Sequence, residues 1–134
     1  MLQAGDDAVA HIRALTAKRG VDVAFEVVGR QETIRDAIRM TRRGGQTILV
    51  GAAGDGVKVS VPAFTGLVLT EKMIRGSLYG SSHIRRDVDR IVRLYEGGQL
   101  MLDTLVSARF AFEEVNDAVA YCASERGARA VVIF

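Results

Sequence analysis

One cysteine and one proline occur in 134 residues. With Cys122 alone, no internal disulfide can form and no CxxC pair is available for a structural zinc, which points to a reducing compartment and by default to the cytoplasm. Scarce proline, 49% hydrophobic and 25% charged residues exclude a disordered or fibrous chain. No apolar run approaches the ~20 residues of a helical membrane span. The first ten residues carry Asp6 and Asp7 where an export signal would be basic and then apolar, so neither membrane nor export is expected. The 18 basic and 16 acidic side chains are scattered and sum to +2, leaving no stripe to follow a polyphosphate backbone, and nucleic acid is excluded as an expected partner. His11 and His83 lie far from the cysteine in sequence, so no three- or four-ligand metal site is readable, and no Ser/His/Asp or Cys/His nucleophile can be assembled.

What is present is alternation of helix and strand. Asp6 or Asp7 can cap a helix with Ala8, Ile12 and Leu15 on one face, closed by Lys18, Arg19 and Gly20. Residues 21–28 are apolar and valine-rich, as for a strand covered on both faces. From Gln31 to Arg43, Ile34, Ala37, Ile38 and Thr41 recur at helical spacing before Gly44-Gly45, and Gln46 to Val50 is a further buried strand. Such alternation predicts parallel pairing through right-handed crossovers. Val57 to Val61 alternates like a short half-exposed strand, Ala63 to Thr70 suits a short helix, and Lys72 to Tyr79 another strand. Ser81 or Ser82 can cap a helix bearing Ile84, Val88, Ile91, Val92 and Tyr95, stopped by Gly97-Gly98. A strand over Leu105 to Phe110, a helix over Glu113 to Ser124 with Val115, Val119 and Cys122 inward, and a strand over Arg129 to Phe134 complete the pattern.

Three of these strands end where the chain turns at glycine: Val28-Gly29-Arg30, Val50-Gly51-Ala52, and Ser77-Leu78-Tyr79-Gly80. In open α/β sheets, ligands bind at the carboxyl ends of parallel strands, so the three junctions suggest one wall of a nucleotide site. Arg30 follows a strand and opens a helix, so it adds to the positive end of the dipole and suits an anionic or hydroxylated ligand edge; a solvated first-turn arginine is the alternative. No GxGxxG phosphate loop precedes the junctions.

The ordered segments VDVAFEVVGR, GGQTILVG, IRGSLYGS, FEEVNDAV and the terminal ARAVVIF resemble the C-terminal portion of a zinc-type medium-chain alcohol dehydrogenase. The resemblance implies the second half of a Rossmann-type doubly wound parallel sheet over residues 1–101, with 21–28, 46–50 and 72–78 as its fourth to sixth strands, and a returning piece of the catalytic domain over 102–134. It implies NAD or NADP as cofactor, bound in part by Val28 and Gly29, with Arg30 beside the adenosine ribose. Val50, Gly51 and Ala52 would lie against the nicotinamide, Ser77 and Tyr79 would complete the clamp through backbone groups, and Arg129 would serve the pyrophosphate. A snorkelling strand-end arginine is the alternative for Arg129.

An alcohol or aldehyde substrate and a homodimer paired through residues 72–79 follow from the same resemblance. A zinc-free quinone oxidoreductase of the same superfamily and a non-catalytic dimerisation module are the rivals, with Glu26-Val27-Val28-Gly29 and GSLYGS closer to the alcohol dehydrogenases. The family's zinc ligands, phosphate loop and cofactor-selecting acidic residue have no counterpart in the sequence. The expectation is therefore a truncated product, a gene fragment or one part of a larger assembly, inactive alone, with residues 21–28 as an unprotected sheet edge.

Overall fold

The computed structural model describes residues 7–124 and 127–134. They fall into two units, divided between Ser82 and His83.

In the first unit, α1 (Ala8–Leu15) precedes β1 (Val21–Glu26), α2 (Gln31–Met40), β2 (Thr41–Leu49) and β3 (Met73–Gly76). Asp7 occupies the N-cap position of α1 without a side-chain capping bond, and Asp6 lies outside the described residues. The helix stops at Leu15, short of the expected basic turn. The Thr16 hydroxyl donates to the Ile12 carbonyl at 2.8 Å and accepts the Gly20 amide at 2.9 Å, which folds the chain back. Lys18, at φ 64°, is therefore in the connecting turn.

The strands pair in parallel in the order β1-β2-β3, as the alternation predicts. The expected boundary between α2 and β2 is corrected. Thr41 leaves the helix in extended geometry, its hydroxyl donating to the Ala37 carbonyl at 2.8 Å and meeting the Thr47 hydroxyl at 2.8 Å. Gly44-Gly45 consequently lies inside a register irregularity of β2, between the pairings Val21 with Thr41 and Val23 with Gln46. Gly44 reaches φ 65°, and a Cβ on Gly45 would stand 2.9 Å from the Asp22 carbonyl oxygen.

One face of the sheet is covered. Ile34, Ala37 and Ile38 of α2 are buried over the side that carries Ala24, Glu26 and Thr47. The expectation that residues 21–28 are buried on both faces does not hold, since Val23 and Phe25 on the opposite side are 43% and 67% exposed. The strand also ends at Glu26, because the amides of Val28 and Gly29 turn back to bond with that residue's side chain. Among the described residues β1 is an edge strand, as expected.

Residues 57–61 form no strand. A lone alternating segment has no ladder to join, and the Val57 amide instead closes a turn onto the Gly54 carbonyl at 2.9 Å. Ala63–Val68 forms a π-helical turn, and the third strand is shorter than expected.

In the second unit, α3 (Ile84–Glu96) begins at His83, not at a serine cap; the His83 amide donates to Asp87 Oδ2 at 2.8 Å. None of its residues is buried. β4 (Val106–Ala111) and β5 (Arg129–Ile133) pair in parallel, with α4 (Val115–Ala123) against β5. The inward face of α4 is corrected. Ala118 is buried and the Tyr121 ring lies 5.8 Å from that of Phe110, whereas Val115, Val119 and Cys122 are exposed. No helix among the described residues is long and apolar enough to cross a membrane.

Two expectations follow. Ile38→Ala removes one of the few buried side chains and should lower stability by about 2–4 kcal/mol in urea denaturation, while exposed Leu15→Ala should change it by less than about 0.5 kcal/mol. Asp22 takes hydrogen bonds from Arg42 of β2 and from Arg19, which hold its carboxyl below the usual range. A depressed folded-state value places its stabilising contribution above the ordinary aspartate pKa of about 3.9, to be lost as pH falls through the folded value. NMR titration should show this, with Arg42→Ala returning Asp22 only part of the way because Arg19 remains.

Candidate functional site

The turns after the carboxyl ends of parallel β1 and β2 meet around Glu26. This residue ends β1 on the side facing α2 and is 3% exposed. Its Oε1 accepts the Val28 amide, the Gly29 amide and the Thr33 hydroxyl, each at 2.8 Å. Its main-chain carbonyl accepts the Val50 amide at 2.8 Å and the Gly51 amide at 3.1 Å. One residue thus fixes two of the three junctions, the first through its side chain and the second through its backbone.

Glycine at 29 and 51 has a steric cause. A Cβ on Gly51 would overlap the Gly29 amide nitrogen, and a Cβ on Gly29 would stand 2.8 Å from the Ala52 carbonyl carbon, so the two turns touch backbone to backbone. Gly29 also holds φ 81°, a region that side chains avoid. Arg30 follows as the exposed N-cap of α2, with Val28 53% exposed beside it. Phe25, Glu26, Val28, Arg30 and Thr33 line part of an open cavity of about 950 Å³.

The third junction joins the second through the Ser77 amide, which donates to the Leu49 carbonyl at 2.9 Å. Tyr79, Gly80 and Ser81 then take φ values of 47°, 69° and 57° in succession, two of them in a region costly for residues with a Cβ. The Ser82 hydroxyl steadies this turn by donating to the Tyr79 carbonyl at 2.6 Å. Tyr79 is 73% exposed, and Val50 and Ala52 are also exposed.

Val28, Gly29, Arg30, Val50, Gly51, Ala52, Ser77 and Tyr79 therefore follow the ends of adjacent strands in one unit. Arg129 begins β5 in the other unit, where its Nη1 donates to the Ala128 carbonyl at 2.7 Å. The sequence reading assigned no role to Glu26 or Thr33. The available signal was a carboxylate at the end of a valine-rich strand, since a buried charge requires donors close by.

A nicotinamide dinucleotide suits this edge in part. The touching glycine turns keep the rim low, and backbone groups beyond β2 and β3 are accessible to a flat ring, while no glycine-rich phosphate loop occurs in the sequence. Zinc does not fit: among the described residues no group of three or more His, Cys, Asp or Glu side chains could hold a metal ion.

Residues 2–96 match the family model described as zinc-binding dehydrogenase. The NDMA-dependent alcohol dehydrogenase of Amycolatopsis methanolica is 35% identical over 115 residues, covering 84% of this chain and 31% of that protein. Alcohol dehydrogenase class-3 of Cereibacter sphaeroides is 29% identical over 134 residues, covering 96% of this chain and 35% of that protein. Among solved structures, benzyl alcohol dehydrogenase from Acinetobacter calcoaceticus superposes with a TM-score of 0.81 at 28% identity, over 95% of this chain and 34% of that one. The chain spans about a third of the length of the curated relatives it matches.

The paired glycines yield a direct expectation. Gly51→Ala forces a Cβ into backbone that cannot move aside and should destabilise the first unit by more than about 2 kcal/mol, whereas Gly54→Ala, in open space, should stay within about 0.5 kcal/mol of the parent in the same denaturation series.

Proposed function

The chain belongs to the zinc-binding dehydrogenase family, and from that premise we propose that its glycine-ended sheet edge is the nicotinamide-side half of a dinucleotide site. The parent activity is hydride transfer between an alcohol or aldehyde and NAD or NADP. The observation that carries this reading is the backbone contact between Gly29 and Gly51 at the carboxyl ends of parallel β1 and β2, where open α/β sheets receive ligands.

In this proposal Arg30 stands over the adenosine ribose, Val50, Gly51 and Ala52 face the nicotinamide, and Ser77 and Tyr79 complete the clamp through backbone groups. Arg129 belongs to the pyrophosphate. The nicotinamide supplies the hydride chemistry when bound, and this chain's residues bind and orient it. In this proposal the chain is the cofactor side of the reaction and is inactive alone, since among the described residues no group of three or more His, Cys, Asp or Glu side chains could hold a metal ion. We divide them into a dinucleotide-binding part, 1–101, and a returning segment, 102–134, within a cytoplasmic protein. Strand β3 occupies one end of the order β1-β2-β3, with Met73 53% exposed, and is the proposed pairing edge of a homodimer.

Saturation-transfer NMR with NAD and NADP tests the half-site. Transfer to adenine and nicotinamide protons is expected, with affinity no tighter than about 1 mM because the phosphate loop is lacking. Arg30→Ala should reduce the adenine signal several-fold. Absence of transfer from the folded parent chain contradicts the half-site, and micromolar affinity contradicts the weight given to the loop.

A further inference from the structure

We propose that Glu26 determines the specificity of the first junction: its carboxylate fills the seat that a turn into a helix offers to an anion, so the junction rejects phosphate and receives an uncharged edge of its ligand. Amides gathered at the start of a helix are ready donors for phosphate oxygens. Here the amides of Val28 and Gly29, in the turn before the N-cap Arg30 of the ten-residue helix α2, already converge with the Thr33 hydroxyl on Oε1 of Glu26. The side chain is enclosed by its own unit, and Oε2 is buried with no hydrogen-bond partner among the described residues. A phosphate approaching the same amides must displace Oε1 and stand against a carboxylate that carries no paired cation among the ion pairs of the described residues. Glu32 in the first turn of α2 adds a second negative charge at the same helix end.

The exclusion of phosphate concerns this chain whatever the edge binds. That the uncharged edge is a ribose rests on the dinucleotide reading above.

The test is a titration of the ¹⁵N-labelled chain with inorganic phosphate at constant ionic strength, read at the Val28 and Gly29 amides. The parent should show no saturable shift up to about 50 mM, while Glu26→Ala opens the seat and should bind phosphate at least tenfold more tightly. Glu26→Gln should behave like the parent, because its carbonyl oxygen still accepts the three donors. A saturable shift of the parent amides at low millimolar phosphate overturns the proposal, as does a folded Glu26→Ala chain that does not respond. A response of Glu26→Gln equal to that of Glu26→Ala contradicts the occupancy argument as well. If Glu26→Ala does not fold, Glu26→Ser, whose side chain is too short to reach the Val28 and Gly29 amides, is titrated in its place with the same expected gain and the same contradicting result. Failure of the parent to take up NAD or NADP would remove the dinucleotide reading without altering any of these outcomes.

Discussion

A buried carboxylate at the end of β1 is the constraint on which the rest of this sheet edge depends. Moving Glu26 out of water costs free energy that only nearby donors can offset, and the nearest donors are the amides of the residues that follow it. Satisfying Oε1 therefore bends the chain immediately after the strand, places Gly29 in left-handed geometry and starts α2 at a defined point. The carbonyl of the same residue holds Val50 and Gly51, which brings the second turn against the first. Side-chain and main-chain requirements of one residue thus set the shape of two loops.

The packing beneath is narrow. α2 covers one face of β1 and β2 with Ile34, Ala37 and Ile38, and the hydroxyls of Thr41 and Thr47 meet within that layer. Because α2 is both the lid of this core and the continuation of the first turn, core and candidate site share one element. A change that loosens α2 also moves Arg30. This coupling accounts for glycine at 29 and 51, where backbone contact leaves no room for a side chain, in contrast to Gly54 and Gly56, which face open space.

Most of the fold was legible in the sequence. Valine-rich runs separated by amphipathic helical spacing gave parallel strands in the expected order, and the ordered motifs pointed to the dehydrogenase family that the comparisons establish. Boundaries were less legible where a hydroxyl competes with the helix: Thr16 ends α1 early and Thr41 converts the end of an expected helix into strand. Periodicity alone cannot reveal such local bonds. It also assigned Val115, Val119 and Cys122 to the inside of α4, although Ala118 and Tyr121 lie closer to the paired strands. The candidate site was legible as glycine positions but not as its organiser, because a carboxylate inside a valine run gives no direct sign of the three donors that turn back to it.

Amide hydrogen exchange tests this account most directly. If Glu26 joins the two turns into one unit, Val28 and Gly29 exchange as slowly as Val50 and Gly51, and all four lose protection together when conditions are made destabilising. Exchange of Val28 and Gly29 at the rate of an open loop, while Val50 and Gly51 stay protected, would contradict it.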